Sequence, residues 1–182
     1  MNWLNTIFIF VVAFLAVFWE AVFPGARRLL GAQIDLLPPL IVYASLTAGI
    51  STVTVLAVVS GLWFDSLSAN PLGVSVPALF VIGLVIYAYR ELILRDQFFA
   101  QITLGLAASA VAPVLTLILL LTTSRTPLLG WGTLWQLIVM AVGGAVVTPI
   151  LFELFRLLNN TLGYRHITEI SFRPDREIKR GR

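Results

Sequence analysis

Four stretches of the chain, 3–23, 72–89, 98–121 and 131–152, are apolar almost throughout. Each is close to the ~20 residues that a helix needs to cross a bilayer. The first is interrupted only by Asn5, Thr6 and Glu20, and "PGARR" ends it. Composition agrees with this reading. Of 182 residues, 59% are hydrophobic and 12% charged, and the mean hydropathy is +0.95. A soluble domain carries roughly twice that share of charge, about 25%, and without it this chain could not cover a water-facing surface. Trp3, Trp63, Trp131 and Trp135 lie near the ends of apolar runs, where indole rings prefer the interface.

The net charge of +3 is unevenly placed. Up to Tyr164 six basic and six acidic residues cancel, and the excess lies in "RHITEISFRPDREIKRGR", with six basic residues and three acidic ones. Beside a membrane span, such a tail suits an anionic lipid surface or sets topology, and no nucleic-acid partner is expected. The chain divides into a transmembrane domain, 1–164, and a basic tail, 165–182, which Pro174 and the charges make weakly ordered. Met1 to Glu20 has no basic leader and no cleavage-site pattern after it, so the first span reads as retained.

The segment from Leu36 to Phe64 admits two readings. As one helix its 29 residues would extend about 44 Å at 1.5 Å per residue, long for a ~30 Å hydrocarbon core. As two helices it would start at Pro38-Pro39 and turn at "TAGIST", where Gly49 suits a tight turn. With the tail cytoplasmic, six spans put nine Lys/Arg inside and three outside, and five spans put eleven inside and one outside. Charge favours five spans and length favours six.

Chemistry is sparse. With no cysteine and a single histidine, His166 in the tail, thiolate nucleophiles, Cys-ligated metals and His clusters are excluded. No carboxylate has the second acid, base or nucleophile that hydrolysis needs, and no phosphate loop is present. Neither an enzyme nor a cofactor is expected. Asp65 ends an apolar run in "VVSGLWFDSLSANPLG". A carboxylate in a membrane is a functional candidate, but Asn70-Pro71 and Gly73 mark a turn, so Asp65 reads as an acceptor for backbone N–H groups of the returning loop. Glu153 and Arg156, i and i+3 in the last turn of the final span, read as a local ion pair or as an anchor for a partner. Glu20, Asp35 and Arg27 or Arg28 make a similar set near the other face. Small residues recur every fourth position: Gly105, Ser109 and Pro113; Ala108 and Ala112; Ala141 and Ala145; Gly144 and Thr148. Such rows let helix backbones approach closely, within the bundle or against another protein. Pro113 and Pro149 should kink their spans.

The stretch "GLWFDSLSANPLG" followed by "VSVPALFVIGLVIYAYRELILRD" resembles the bacterial rod shape-determining MreD family. The likeness covers roughly residues 34–97 and rests on Gly61, Asp65, Ser68, Leu72 and Gly73, with Asn70 and Pro71 in the same turn. One departure is "IDLLPP", where that family tends to carry Arg-Pro or His-Pro. The resemblance implies an all-α polytopic membrane protein of six transmembrane helices, similar to the S-component fold of energy-coupling-factor transporters. Both termini would lie on the cytoplasmic side of the bacterial inner membrane. It also implies a non-enzymatic subunit of the peptidoglycan-synthesising elongasome that regulates cell shape, partnered by MreC and linked with MreB, RodA and a class B penicillin-binding protein. Ala13, Ala16, Gly144 and Thr148, with Glu153 and Arg156, are the expected partner contacts. The alternative is a vitamin-binding S-component of a transporter.

Overall fold

The computed structural model describes residues 3–22, 31–68, 71–93, 97–122 and 130–162. Among these, six helices and no strand are found: α1 (Trp3–Val22), α2 (Leu37–Thr47), α3 (Ile50–Leu67), α4 (Ser75–Tyr89), α5 (Phe98–Thr122) and α6 (Trp131–Leu162). Four of them, α1, α3, α5 and α6, are long and apolar enough to cross a membrane, and α2 and α4 are shorter. The basic tail lies outside the described residues.

The 36–64 segment is two helices. Ala48 and Gly49 are both extended, at φ −109°, ψ 176° and φ −81°, ψ 159°. The chain also reverses there. A methyl on Gly83 of α4 would lie 3.2 Å from Ile41 of α2 and 2.7 Å from Val53 of α3. Along one straight helix those two residues would be ~18 Å apart.

The same alternation runs through the whole chain. At one end, Asn5 of α1 accepts from the Tyr43 hydroxyl late in α2 (3.2 Å) and from Asn159 near the end of α6 (3.4 Å). Arg90, just after α4, donates to the Ala48 carbonyl after α2 (3.3 Å). At the other end, Glu20 meets the start of α2, Gln33 meets Gln136 early in α6, and Asp65 meets Ser75 at the start of α4. Successive helices therefore run in opposite directions, and α1 begins at the end where α6 finishes. We call this the terminal end and the opposite one the far end.

Helix α2 is the hub. Every residue from Leu37 to Leu46 is buried, and α2 touches each of the other five helices. A helix apolar on all sides belongs in a protein core or in lipid, and here the other five helices, not lipid, surround it. Tyr43 stacks on Phe155 of α6 at 4.1 Å between ring centroids and meets Phe152 edge-on at 5.0 Å.

Starting a helix in buried surroundings leaves its first amides without water, so each needs a partner. The sequence "DLLPP" supplies the answer. The Leu36 N–H donates to Glu20 Oε1 (2.5 Å) and the Leu37 N–H to Asp35 Oδ1 (2.9 Å). Pro38 and Pro39 have no N–H to satisfy, and the Leu40 N–H reaches the Leu36 carbonyl (3.3 Å). No donor in this turn is left over.

Helix α6 runs past the apolar stretch that marks it in the sequence. That stretch ends near residue 152, but the helix continues to Leu162. Glu153 and Arg156 thus lie more than a turn inside it, not in its last turn.

Outward faces are apolar. On α6, Ile138, Val142, Val146, Ile150 and Leu157 are exposed at helical spacing, and on α1 so are Val11, Leu15, Phe18 and Trp19. In water such faces would drive aggregation; facing lipid they need no cover.

Candidate functional site

Two features occupy the far end: a clamp built on Asp65, and a cavity beside it. In the clamp, Asp65 is 1% exposed. Its Oδ2 accepts from the backbone N–H of Gly73 (2.9 Å) and of Ser75 (3.0 Å), and its Oδ1 accepts from the Ser75 hydroxyl (2.5 Å). One carboxylate therefore ties the end of α3 to the start of α4.

The other motif residues have distinct roles in the same joint. Gly61 lets the helices meet, because a Cβ there would lie 3.1 Å from both the backbone N and Cα of Val76. Ser68 closes α3 with its N–H on the Phe64 carbonyl (3.0 Å) and its hydroxyl on the Asp65 carbonyl (3.3 Å). The Pro71 carbonyl accepts from the Val74 N–H (3.3 Å). Leu72 points outward and is 71% exposed. Asn70 lies outside the described residues. Gly73 has φ +88°, a backbone state that L side chains rarely adopt. Gly73→Ala is therefore expected to cost about 1–2 kcal/mol, read as a lower unfolding midpoint in detergent with no change in helix content.

The cavity has a volume of about 250 Å³ and lies between the connection before α2, the start of α4, the second half of α5 and the start of α6. Leu37, Leu79, Leu117, Leu137 and Met140 form its apolar wall, and Gln33, Asp35, Ser75, Thr116, Thr133 and Gln136 its polar part. Most of these polar groups are engaged. Gln136 exchanges two hydrogen bonds with the Gln33 backbone, accepting from its N–H (3.3 Å) and donating to its carbonyl (3.2 Å). Thr116 donates to the Ala112 carbonyl (3.0 Å), and Ser75 is held by Asp65. Among the described residues, the Asp35 Oδ2 and the Gln33 side-chain amide find no hydrogen-bond partner, and no Lys or Arg lines the cavity. Burial pushes the Asp35 carboxyl up to about 6, against a smaller downward pull from the Leu37 N–H.

Of the sequence-predicted set near this face, Glu20 and Asp35 come together at the first amides of α2, while Arg27 and Arg28 lie outside the described residues. Glu20 Oε2 is buried without a partner among the described residues. Sequence reasoning misses the Gln33–Gln136 exchange. Its one signal in the sequence is Gln136, the single polar residue in the run "LWQLIVM".

The expected partner contacts divide. Ala13, Ala16, Gly144 and Thr148 are buried inside this chain and so cannot be an external surface. A Cβ on Gly144 would collide with Ser109 and lie 2.8 Å from the Gly105 carbonyl oxygen, and one on Gly105 would collide with Thr148. Close approach between α5 and α6 uses up that row. Glu153 and Arg156 remain accessible, joined by a 2.7 Å ion pair with side chains 50% and 69% exposed. They rim a groove of about 650 Å³ at the terminal end, between α2, α5 and α6.

No protein-family model, characterised protein or solved structure matches the chain.

Proposed function

We propose that this chain is a non-enzymatic membrane subunit of the bacterial elongation machinery, an MreD-like scaffold that holds partners such as MreC beside the peptidoglycan synthases. The observation that carries the reading is the Gly61–Asp65–Ser68–Leu72–Gly73 joint. The residues that bear the resemblance meet in one joint around the buried Asp65, and Leu72 of that joint is exposed. Both carboxylate oxygens are engaged, by two backbone amides and the Ser75 hydroxyl, which suits a structural part more than a reacting group.

In this reading all six helices traverse the inner membrane in an S-component-like bundle. The terminal end faces the cytoplasm, and the basic tail meets anionic lipid there. Helices of 11 and 15 residues are short for a ~30 Å core, but α2 is buried from Leu37 to Leu46 by the other five helices, so its neighbours and not lipid surround it. The partner helix has a different seat from the small-residue row. The outward face of α1, with Val11, Leu15, Phe18 and Trp19, offers a continuous apolar strip. Affinity purification from detergent tests the assignment. An MreC-like single-span protein should co-purify, and Leu15→Arg with Phe18→Arg should remove it.

The far-end cavity favours a second reading, a transporter S-component that holds a vitamin near the outer face. Co-purification with a transporter ATPase, and with no cell-wall protein, would replace the scaffold by that carrier.

A further inference from the structure

The far-end cavity combines three properties that suit a cationic ligand. Its walls are mostly apolar, it holds one carboxylate with a free oxygen, and among the described residues no basic side chain lines it to neutralise that charge. An unpaired carboxylate at an apolar wall is costly, and a cation bound there would recover that cost through charge-assisted hydrogen bonds.

We propose that this cavity binds a small protonated amine with a compact apolar body. The ammonium donates to Asp35 Oδ2 and to the side-chain carbonyl of Gln33, and the body lies against Leu37, Leu79, Leu137 and Met140. Size follows from volume. A cavity of ~150 Å³ holds benzene, so the space here suits about ten non-hydrogen atoms. An anion is disfavoured because Asp35 faces the site and, among the described residues, no basic side chain lines it. A neutral isostere fits the space but leaves the carboxylate unpaired. The site does not depend on the scaffold reading: a carrier would use it for cargo and a scaffold for an effector.

Charge in the cavity rests on Asp35, since the side chains that α4, α5 and α6 contribute, Ser75, Thr116, Thr133 and Gln136, are uncharged, and α1 adds only Glu20, on the Leu36 amide. Binding should therefore weaken as pH falls through about 6, where Asp35 takes up a proton.

The test uses the full chain in lipid nanodiscs, with 2-phenylethylamine as probe and 2-phenylethanol and phenylacetate as isosteric controls. Titration calorimetry at pH 7.5 should show saturable binding of the amine at least tenfold tighter than the alcohol, with no binding of phenylacetate. The preference should shrink at least threefold at pH 5. Asp35→Asn keeps an acceptor for the Leu37 N–H, so it should fold and bind amine and alcohol alike. Leu137→Trp fills the cavity and should abolish binding of both; the melting midpoint of each variant verifies that it is folded. Equal affinity for amine and alcohol in the parent chain would overturn the proposal. So would binding indifferent to Asp35→Asn, or the absence of any saturable signal. None of these outcomes bears on whether an MreC-like protein co-purifies.

Discussion

Gly144→Leu is expected to prevent folded protein from accumulating at all. The obstacle is backbone as well as side chain. Any Cβ at position 144 meets Ser109 and comes within 2.8 Å of the Gly105 carbonyl oxygen, so a new rotamer cannot relieve it. Overpacking a core with methylenes costs roughly 1–3 kcal/mol where side chains can shift. Here two helices must separate along the largest interhelical interface in the bundle, so the loss should reach at least ~3 kcal/mol. Val142→Leu, two residues away on the outward face, should change nothing. The milder Gly144→Ala separates the terms. Combined with Ser109→Gly it should regain part of its loss, because the serine accounts for part of the clash and the Gly105 carbonyl for the rest. Unfolding midpoints in detergent measure each step. Normal levels of folded Gly144→Leu protein would mean that α5 and α6 are not joined through this row.

The same row shows where the sequence stops being informative. A small residue at every fourth position says that something approaches closely, but the period is identical for an internal helix and for a partner. Only the placement of Ser109 and Gly105 opposite Gly144 decides between them, and that pairing joins two separate helices. The break at Ala48-Gly49 is legible because its signals are local: an overlong apolar segment, a glycine among Ser and Thr, and two prolines at a helix start. The C-terminal extent of α6 is not. An apolar run reports the depth of hydrocarbon to be crossed, whereas the helix goes on wherever propensity allows, here through Glu153, Arg156 and Asn159 to Leu162. The cavity is the least legible feature. Gln33 and Gln136 are 103 residues apart, and each alone looks like an ordinary polar residue near a span end. Asp65 is readable for the opposite reason, because its donors, Gly73 and Ser75, follow it so closely in the chain.

Substitutions of Asp65 should separate a structural joint from a charge-dependent site. Asp65→Ala removes the acceptor for three donors at once: the Gly73 N–H, the Ser75 N–H and the Ser75 hydroxyl. Hydrogen bonds to a charged group contribute roughly 1.5–3 kcal/mol each, and buried donors left unpaired add a desolvation cost. The hydroxyl can turn to another acceptor, but the two amides are fixed by the turn. A loss of about 3–5 kcal/mol follows, a large share of the roughly 5–15 kcal/mol that keeps an ordinary domain folded. Asp65→Asn is a different case. Its carbonyl oxygen can keep both backbone donors, and its NH₂ group then faces Ser75 Oγ, which can accept instead of donate. All three contacts persist with one reversed, so the expected cost is about 1–2 kcal/mol. Pairing each variant with Ser75→Ala refines the test. In the parent chain that change removes one donor from the carboxylate, whereas in the Asp65→Asn background it strips the amide NH₂ of its acceptor. Because a bond to a charged group is the stronger of the two, the penalty for losing Ser75 should be larger with the acid than with the amide. Unfolding midpoints and the yield of membrane-inserted protein would resolve the order acid, amide, alanine. Asp65→Asn that is folded and abundant yet wholly inactive in the scaffold role proposed above would sink the structural role. The carboxylate charge would then act on something beyond the joint between α3 and α4.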